Sequence, residues 1–391
     1  MFKVLTLNNI AKIGLSRLPA DHYAIANDAK QPDAILVRSA NMHAVEIPET
    51  LKAVGRAGAG VNNIPVAKMS AKGIPVFNAP GANSNAVKEL VIGGLILACR
   101  QICEAWDFAR NLEGSDEELS KAVEAGKKNF AGFELPGRTL GVIGLGAIGR
   151  LVANTAVALG MDVIGIDPGL TVEGAWQLSS SVRRARSMDE IFRDADFLTV
   201  HVPLMDATRN LVNADRLASM KKGVVILNFA REGIVNDQAV IDAIDSGHVH
   251  GYISDFPTNL TKNHRRCVTL PHLGASTAEA EDNCAIMVAD QVRDFLENGN
   301  VKNAVNFPEV VVPRRTAHRF VCANANVPNM LGQISEAFGQ AGLNIHDMVN
   351  SSKGELAYTV VDLDAPVSDT LVQQIASIKG VLMARLVPAP R

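Results

Sequence analysis

No apolar run in this 391-residue chain is long enough to cross a bilayer. The longest, Leu90 to Cys99, is half of the roughly 20 residues a spanning helix needs. The start of the chain turns polar at Asn8 and Asn9 before the apolar core of a signal peptide could form, so a cytoplasmic location is expected and no membrane partner. Cysteine is scarce and odd in number: Cys99, Cys103, Cys267, Cys284 and Cys322 show no CxxC spacing. That argues against a disulfide framework and against a zinc site, and no metal is expected. An excess of one charge is missing too. A net charge of -3 gives no electrostatic reason to expect nucleic acid or a membrane surface. Long repeats and low-complexity tracts are absent. What remains is a globular composition, 47% hydrophobic and 20% charged, in a chain long enough for two or three domains.

Strand-like runs alternate with helical stretches from the start. Phe2 to Leu7, Ala34 to Arg38, Leu51 to Arg56 and Gly73 to Phe77 read as strands, and Asn85 to Leu112 as one long helix. A second series begins after Leu135-Pro136-Gly137, with strands at Thr139 to Ile143, Asp162 to Ile166, Phe197 to Val200, Val224 to Asn228 and His250 to Ser254. Helix Ala278 to Glu297 closes it, and Asn306 to Pro313, with two prolines, reads as a linker. The last part of the chain reads βαββαβ, a ferredoxin-like plan, with Gly354 suited to a hairpin turn. The expected fold class is therefore α/β: two doubly wound parallel-sheet, Rossmann-like domains plus a carboxy-terminal ferredoxin-like domain.

Gly144-Leu145-Gly146-Ala147-Ile148-Gly149 is a GxGxxG run that follows a strand and opens a helix, the context that makes it informative. Gly144 permits the tight turn, Gly146 lets a pyrophosphate approach the backbone, and Gly149 allows close helix–strand packing. The helix start at Ala147 and Ile148 supplies free N–H groups to phosphate. Asp167 ends the next strand, where a carboxylate accepts from both ribose hydroxyls and repels a 2′-phosphate. The expected cofactor is NAD rather than NADP.

Further motifs follow in order: His201-Val202-Pro203-Leu204, Asn228-Phe229-Ala230-Arg231, Asp255-Phe256-Pro257 and Pro271-His272-Leu273-Gly274-Ala275-Ser276-Thr277. With the glycine run, they make residues 1 to 307 resemble the D-2-hydroxyacid dehydrogenase family. The resemblance implies that Arg231 binds the substrate carboxylate and keto oxygen, that His272 is the general acid/base, and that Asp255 faces the nicotinamide carboxamide. It also implies that His201, Val202, Pro203, Phe229, Ala230, Gly274 and Ala275 line the cofactor. Chemistry suits these roles, because histidine titrates near neutrality and arginine offers a fixed, permanently charged fork. One feature of the family is missing: between Glu232 and Glu279 there is no Glu to pair with His272, and its expected place falls near Asn259-Leu260. A lone histidine should have a lower pKa and weaker tautomer control, with Asp255 or a carboxylate from elsewhere as a partial substitute.

Val37-Arg38-Ser39-Ala40 and Gly55 to Ile64 look like the branch of the family that acts on 3-phosphoglycerate. That likeness implies Arg38 and Ser39 on the phosphate, N–H groups of Ala57, Gly58, Ala59, Gly60 and Val61 on the carboxylate, and Asn78 and Lys88 lining the same cleft. The carboxy-terminal domain resembles an ACT domain, in which Asn324, Asn326 and Asn344 would meet an amino-acid effector, expected to be L-serine. A homo-oligomer, dimer or tetramer, is implied by that resemblance only. The domain boundaries expected are 1–100 with 284–307 for a substrate-binding lid, 101–283 for NAD, 308–316 for a linker and 317–391 for the regulatory domain. Two other readings stay open: a glyoxylate or hydroxypyruvate reductase, and a dinucleotide-binding sensor without turnover.

Overall fold

The computed structural model describes residues 1–390. They form two compact units, one of residues 1–83 together with the chain from 278 onward, the other of residues 84–277.

In the first unit five parallel strands lie in the order Tyr23–Ala26, Phe2–Leu7, Ala34–Val37, Ala53–Arg56, Val76–Phe77. Ala34–Val37 is buried throughout, as its unbroken apolar run requires of a strand covered on both faces. One covering element is the helix Ala278–Asn298, whose buried Cys284, Ala285, Val288, Ala289, Val292, Phe295 and Leu296 recur at helical spacing. It approaches so closely that a Cβ at Gly55 would stand 2.6 Å from Val288 Cγ2. The expected linker is no linker in the structure. Phe307, Val310 and Val312 are buried, Val301 and Val310 exchange backbone hydrogen bonds, and the Asn306 side chain accepts from Val76 N–H at 2.9 Å. Apolar residues between the prolines tie this segment to the sheet.

The same unit contains a four-stranded antiparallel sheet in the order Ile345–Lys353, Leu356–Leu363, His318–Ala325, Val381–Val387. Helices Met330–Gln340 and Asp369–Ala376 pack on one face, which is the expected ferredoxin-like plan. The other face joins the first sheet's core through Val321, Ala323, Tyr358, Val360 and Val387. Arg319, fully buried, locks the two parts. It makes a two-pronged pair with Asp362 at 2.7 and 2.9 Å and donates to the carbonyls of Asn298, Val312 and Pro313, each at 3.0 Å. All five guanidinium donors are used. Tyr358 O–H reaches Gly299 C=O at 2.8 Å. The domain expected to stand apart is therefore continuous with the core beneath it.

The second unit is a seven-stranded parallel sheet, in the order Cys267–Thr269, Val249–Ser254, Val224–Asn228, Phe197–Val200, Thr139–Ile143, Asp162–Ile166, Val182–Arg184. Chain order reverses between Phe197–Val200 and Thr139–Ile143, which is where such sheets bind ligands. The long helix expected at 85–112 is two helices, Ser84–Arg100 and Ile102–Arg110, parted by Gln101 at φ 48°. There the Cys99 carbonyl turns to accept Phe133 N–H at 3.0 Å. Ser84–Arg100 belongs to this unit rather than to the lid, because Val87, Val91, Leu95 and Ala98 share a core with Val152, Leu227 and Phe229. The boundaries thus fall at 83/84 and 277/278, not at 100/101 and 283/284.

Arg319 and Asp362 give a stability test. Replacing Asp362 with Asn strands a buried guanidinium and should cost about 3–5 kcal/mol, read as a lowered urea midpoint. Exchanging both residues for apolar ones of similar volume should recover most of that loss.

Candidate active site

The strand Thr139–Ile143 runs into Gly144 at φ 92°, a left-handed conformation that favours glycine. A Cβ at Gly144 would also meet the His201 carbonyl at 2.5 Å, and one at Gly149 would meet the Gly144 carbonyl at 1.9 Å. Gly146, with open space around it, caps helix Ala147–Ala158, and no side chain caps that end. Its first N–H groups are left for a phosphate. At the end of the neighbouring strand Asp167 is fixed by Leu145 N–H on Oδ2 at 2.9 Å and Gly169 N–H on Oδ1 at 2.8 Å. A carboxylate has lone pairs to spare beyond these, so the pair of ribose hydroxyls fits.

His201, Val202 and Pro203 follow strand Phe197–Val200, and the His201 backbone and Val202 side chain form the wall against which Gly144 turns. The His201 ring faces inward: Nε2 pairs with Thr199 Oγ1 at 3.0 Å, while Nδ1 is sealed without a partner. Burial pushes its pKa down to about 4, which keeps it neutral. The ring is a packing group, and only its backbone faces the glycine turn.

Strand Val224–Asn228 ends at Phe229, Ala230 and Arg231. The buried Asn228 side chain accepts from Ala230 N–H at 3.2 Å and donates to Arg231 C=O at 2.9 Å, fixing the turn. Arg231 itself is exposed; its guanidinium donates only to the Ala230 carbonyl at 2.6 Å, with no carboxylate paired to it among the described residues. Strand Val249–Ser254 ends at Asp255, which is buried with Oδ2 accepting from Gly274 N–H at 3.2 Å and Oδ1 unpartnered. Burial raises its pKa, against the pull of His272, the Gly274 N–H and Arg231. A sealed acceptor of this kind suits an amide donor such as the nicotinamide carboxamide. His272 is exposed at φ 49°, and its N–H donates to the carbonyls of Asp255 at 3.0 Å and Leu270 at 3.1 Å. No carboxylate among the described residues bonds its ring. Lys88, on the helix that brings Val87 against Gly274, lies 3.6 Å from Glu89.

In the first unit Arg38 and Ser39 follow strand Ala34–Val37, and the loop Ala57 to Val61 follows Ala53–Arg56. Arg38 is paired with Glu281 at 2.5 Å, and Ser39 N–H donates to Asn8 Oδ1 at 3.3 Å. Gly58 N–H is used by the Arg56 carbonyl and Ala57 N–H by Val37, whereas the N–H groups of Ala59, Gly60 and Val61 have no acceptor among the described residues. Asn78 holds the loop by donating to Ala59 C=O at 2.6 Å. The sequence reading missed Arg56. Its Nε donates to the Arg38 carbonyl at 3.0 Å, and Nη1 would stand 1.8 Å from a Cβ on Gly58. Its position, last on a strand before a glycine-rich loop, was the available signal. Farther along, Asn324 is buried with Oδ1 unpartnered, Asn326 donates to Gly354 C=O at 3.1 Å, and Asn344 is exposed.

A model of the NAD-binding domain of D-isomer specific 2-hydroxyacid dehydrogenases matches residues 102–274. The D-3-phosphoglycerate dehydrogenase of Haemophilus influenzae is 31% identical over 354 residues, covering 88% of this chain and 82% of that protein. The one of Methanocaldococcus jannaschii is 35% identical over 343 residues, 85% of this chain, and this chain spans 62% of its length. Among solved structures, NAD+-bound 3-phosphoglycerate dehydrogenase of Entamoeba histolytica gives a TM-score of 0.59 at 26% identity, covering 78% of this chain and 98% of that one. Holo D-mandelate dehydrogenase of Rhodotorula graminis gives 0.67 at 23%, over 80% and 99%, a likeness of fold. The chain belongs to the D-2-hydroxyacid dehydrogenase family.

As an NAD-dependent dehydrogenase acting on a CH–OH group, it needs an acceptor for a proton and a holder for a carboxylate. Its parallel sheet presents His272 and Arg231 at the same, carboxyl-terminal edge as the glycine turn. The absence of the usual Glu is real in space as well: Asn259 and Leu260 are exposed and neutral.

His201 makes a pH test of the packing behind the glycine turn. Its folded pKa, about 4, lies below the ordinary histidine value of 6.5. Between these values the unfolded chain takes up a proton that the folded one refuses, so stability falls as pH falls. From pH 7 to pH 5 the loss should be about 2 kcal/mol, and His201→Gln should abolish that part of the dependence in thermal melts.

Proposed function

We propose that this dehydrogenase oxidises 3-phospho-D-glycerate to 3-phosphooxypyruvate with NAD, the first step of L-serine biosynthesis. The observation that carries the reading is an anion site with two kinds of donor on neighbouring strand ends. Arg38 and Arg56 supply guanidinium charge, and Ala59 to Val61 supply three unpaired N–H groups. A substrate with a phosphate at one end and a carboxylate at the other uses both. The relatives named D-3-phosphoglycerate dehydrogenase, 31% to 35% identical over most of this chain, support it too.

In this reading Arg231, unpaired in the fold, takes the carboxylate and the hydroxyl oxygen, whose charge grows as the C–H bond breaks. His272 accepts the hydroxyl proton. NAD, when bound, accepts the hydride. Asp255 fixes the carboxamide, and Asp167 the adenosine ribose. Arg38, Ser39 and Arg56 hold the phosphate, with Asn78 keeping the loop in place and Lys88 adding charge. The carboxy-terminal domain takes L-serine at Asn324 and Asn326, at one end of strand His318–Ala325, where Asn324 holds one spare acceptor; Asn344, the third candidate, precedes strand Ile345–Lys353 at the opposite end of the sheet. We further propose a homo-oligomer, supported by helix Ile102–Arg110, which buries no residue and exposes Trp106. The setting is cytoplasmic, consistent with five free cysteines.

A second reading, a dehydrogenase of unphosphorylated hydroxy acids, is favoured by the ion pair that neutralises Arg38 with Glu281. NADH formation from 3-phosphoglycerate, compared with glyoxylate and hydroxypyruvate in reverse, decides between them. His272→Asn should lower kcat by about 10²–10⁴-fold. Glu281→Gln, freeing Arg38, should lower KM for 3-phosphoglycerate and leave KM for glyoxylate unchanged. Added L-serine should suppress turnover of the phosphorylated substrate.

A further inference from the structure

His272 has the task of a general base without the carboxylate that would orient its ring. The turn where that carboxylate belongs is tied down by its own threonines and by Asp237, whose carboxylate bonds the Thr258 side chain rather than His272. Thr258 N–H donates to Thr261 Oγ1 at 3.1 Å, the two hydroxyls meet at 3.1 Å, and Asn259 and Leu260 point to solvent. Asp255 lies within electrostatic reach of His272, yet its Oδ2 is held by Gly274 N–H and neither oxygen bonds the imidazole. An imidazole on a surface loop, unrestrained, turns about two side-chain bonds and presents its nitrogens at many angles.

Two restraints are present instead. The backbone of His272 is held in a left-handed conformation by its N–H, shared between the Asp255 and Leu270 carbonyls. The ring lies against Phe256, with centroids 5.0 Å apart and planes at 56°. Phe256 is itself fixed, because its N–H donates at 3.1 Å to Oγ of the fully buried Ser254. Tilted ring pairs at this separation are attractive beyond simple burial, since the edge of one ring faces the π cloud of the other.

We propose that Phe256 is the positioning residue for His272, holding the imidazole at the angle for proton transfer in place of the absent carboxylate. It does not touch the reacting atoms; it acts through His272. The proposal rests on the dehydrogenase reading for its kinetic consequence, and on the ring pair alone for its geometry.

Phe256→Ala, Phe256→Tyr and Phe256→Leu test it, alongside Phe256→Ala combined with Asn259→Glu. Phe256→Ala should lower kcat about tenfold with KM for NAD and the melting temperature nearly unchanged. The solvent deuterium isotope effect on kcat should rise as proton transfer becomes limiting. Tyr should restore the rate, Leu should not, and the added Glu should restore it in part. In NMR spectra of the wild type, the His272 ring protons, assigned by their loss in His272→Asn, should carry an upfield ring-current shift that vanishes in Phe256→Ala. Unchanged kcat in Phe256→Ala, or equal recovery by Leu and Tyr, would overturn the proposal. So would the absence of the ring-current shift, which decides the matter even if the wild type turns over no 3-phosphoglycerate and the substrate reading fails.

Discussion

A parallel strand buried on both faces has no polar group to offer except at its ends. In Val224–Asn228 every residue is buried and the backbone is paired to Phe197–Val200 on one side and Val249–Ser254 on the other. Unpaired donors and polar side chains can therefore appear only where the strands stop, and here they stop together. Gly144, Asp167, Arg231, Asp255 and the His272 loop all follow strands of one sheet on its carboxyl edge. In the other unit Arg38, the Ala57 to Val61 loop and Asn78 follow the same rule on their own sheet. Chemistry is placed by the exhaustion of hydrogen bonds elsewhere.

Three of the polar atoms left sealed lie at such strand ends. Asp255 Oδ1, His201 Nδ1 and Asn324 Oδ1 are buried without partners, each at or just past a strand end. For Asp255 the sealed oxygen remains an acceptor that suits an amide donor. For His201 burial solves the problem by keeping the ring neutral. Arg319 shows the opposite solution, a buried charge with every donor satisfied, three of them by carbonyls outside its own sheet. Such a residue specifies how two layers meet, since any other docking would leave the charge unpaired.

The sequence by itself determined whatever depends on near neighbours. The glycine run demanded a turn between a strand and a helix, and Asp167 had to follow one strand later, so this strand–turn–helix–strand unit was legible from spacing alone. Arg231 was legible as a strand-end residue because it follows an apolar run that is a buried strand, whereas His272 follows the half-buried edge strand Cys267–Thr269, which the sequence did not announce. The missing Glu was legible as a count. Only the tertiary structure decided what depends on residues far apart in the chain. Arg38 meets Glu281 across 243 positions, Arg319 meets Asp362 across 43, and Arg56 comes to rest over Gly58 because Arg38 offers its carbonyl. The short edge strands Tyr23–Ala26, Val182–Arg184 and Cys267–Thr269 took their form from pairing to longer neighbours rather than from their own three or four residues. The apparent linker became core because burial is a property of the partner surface, and no local pattern in the chain announces which surface that will be.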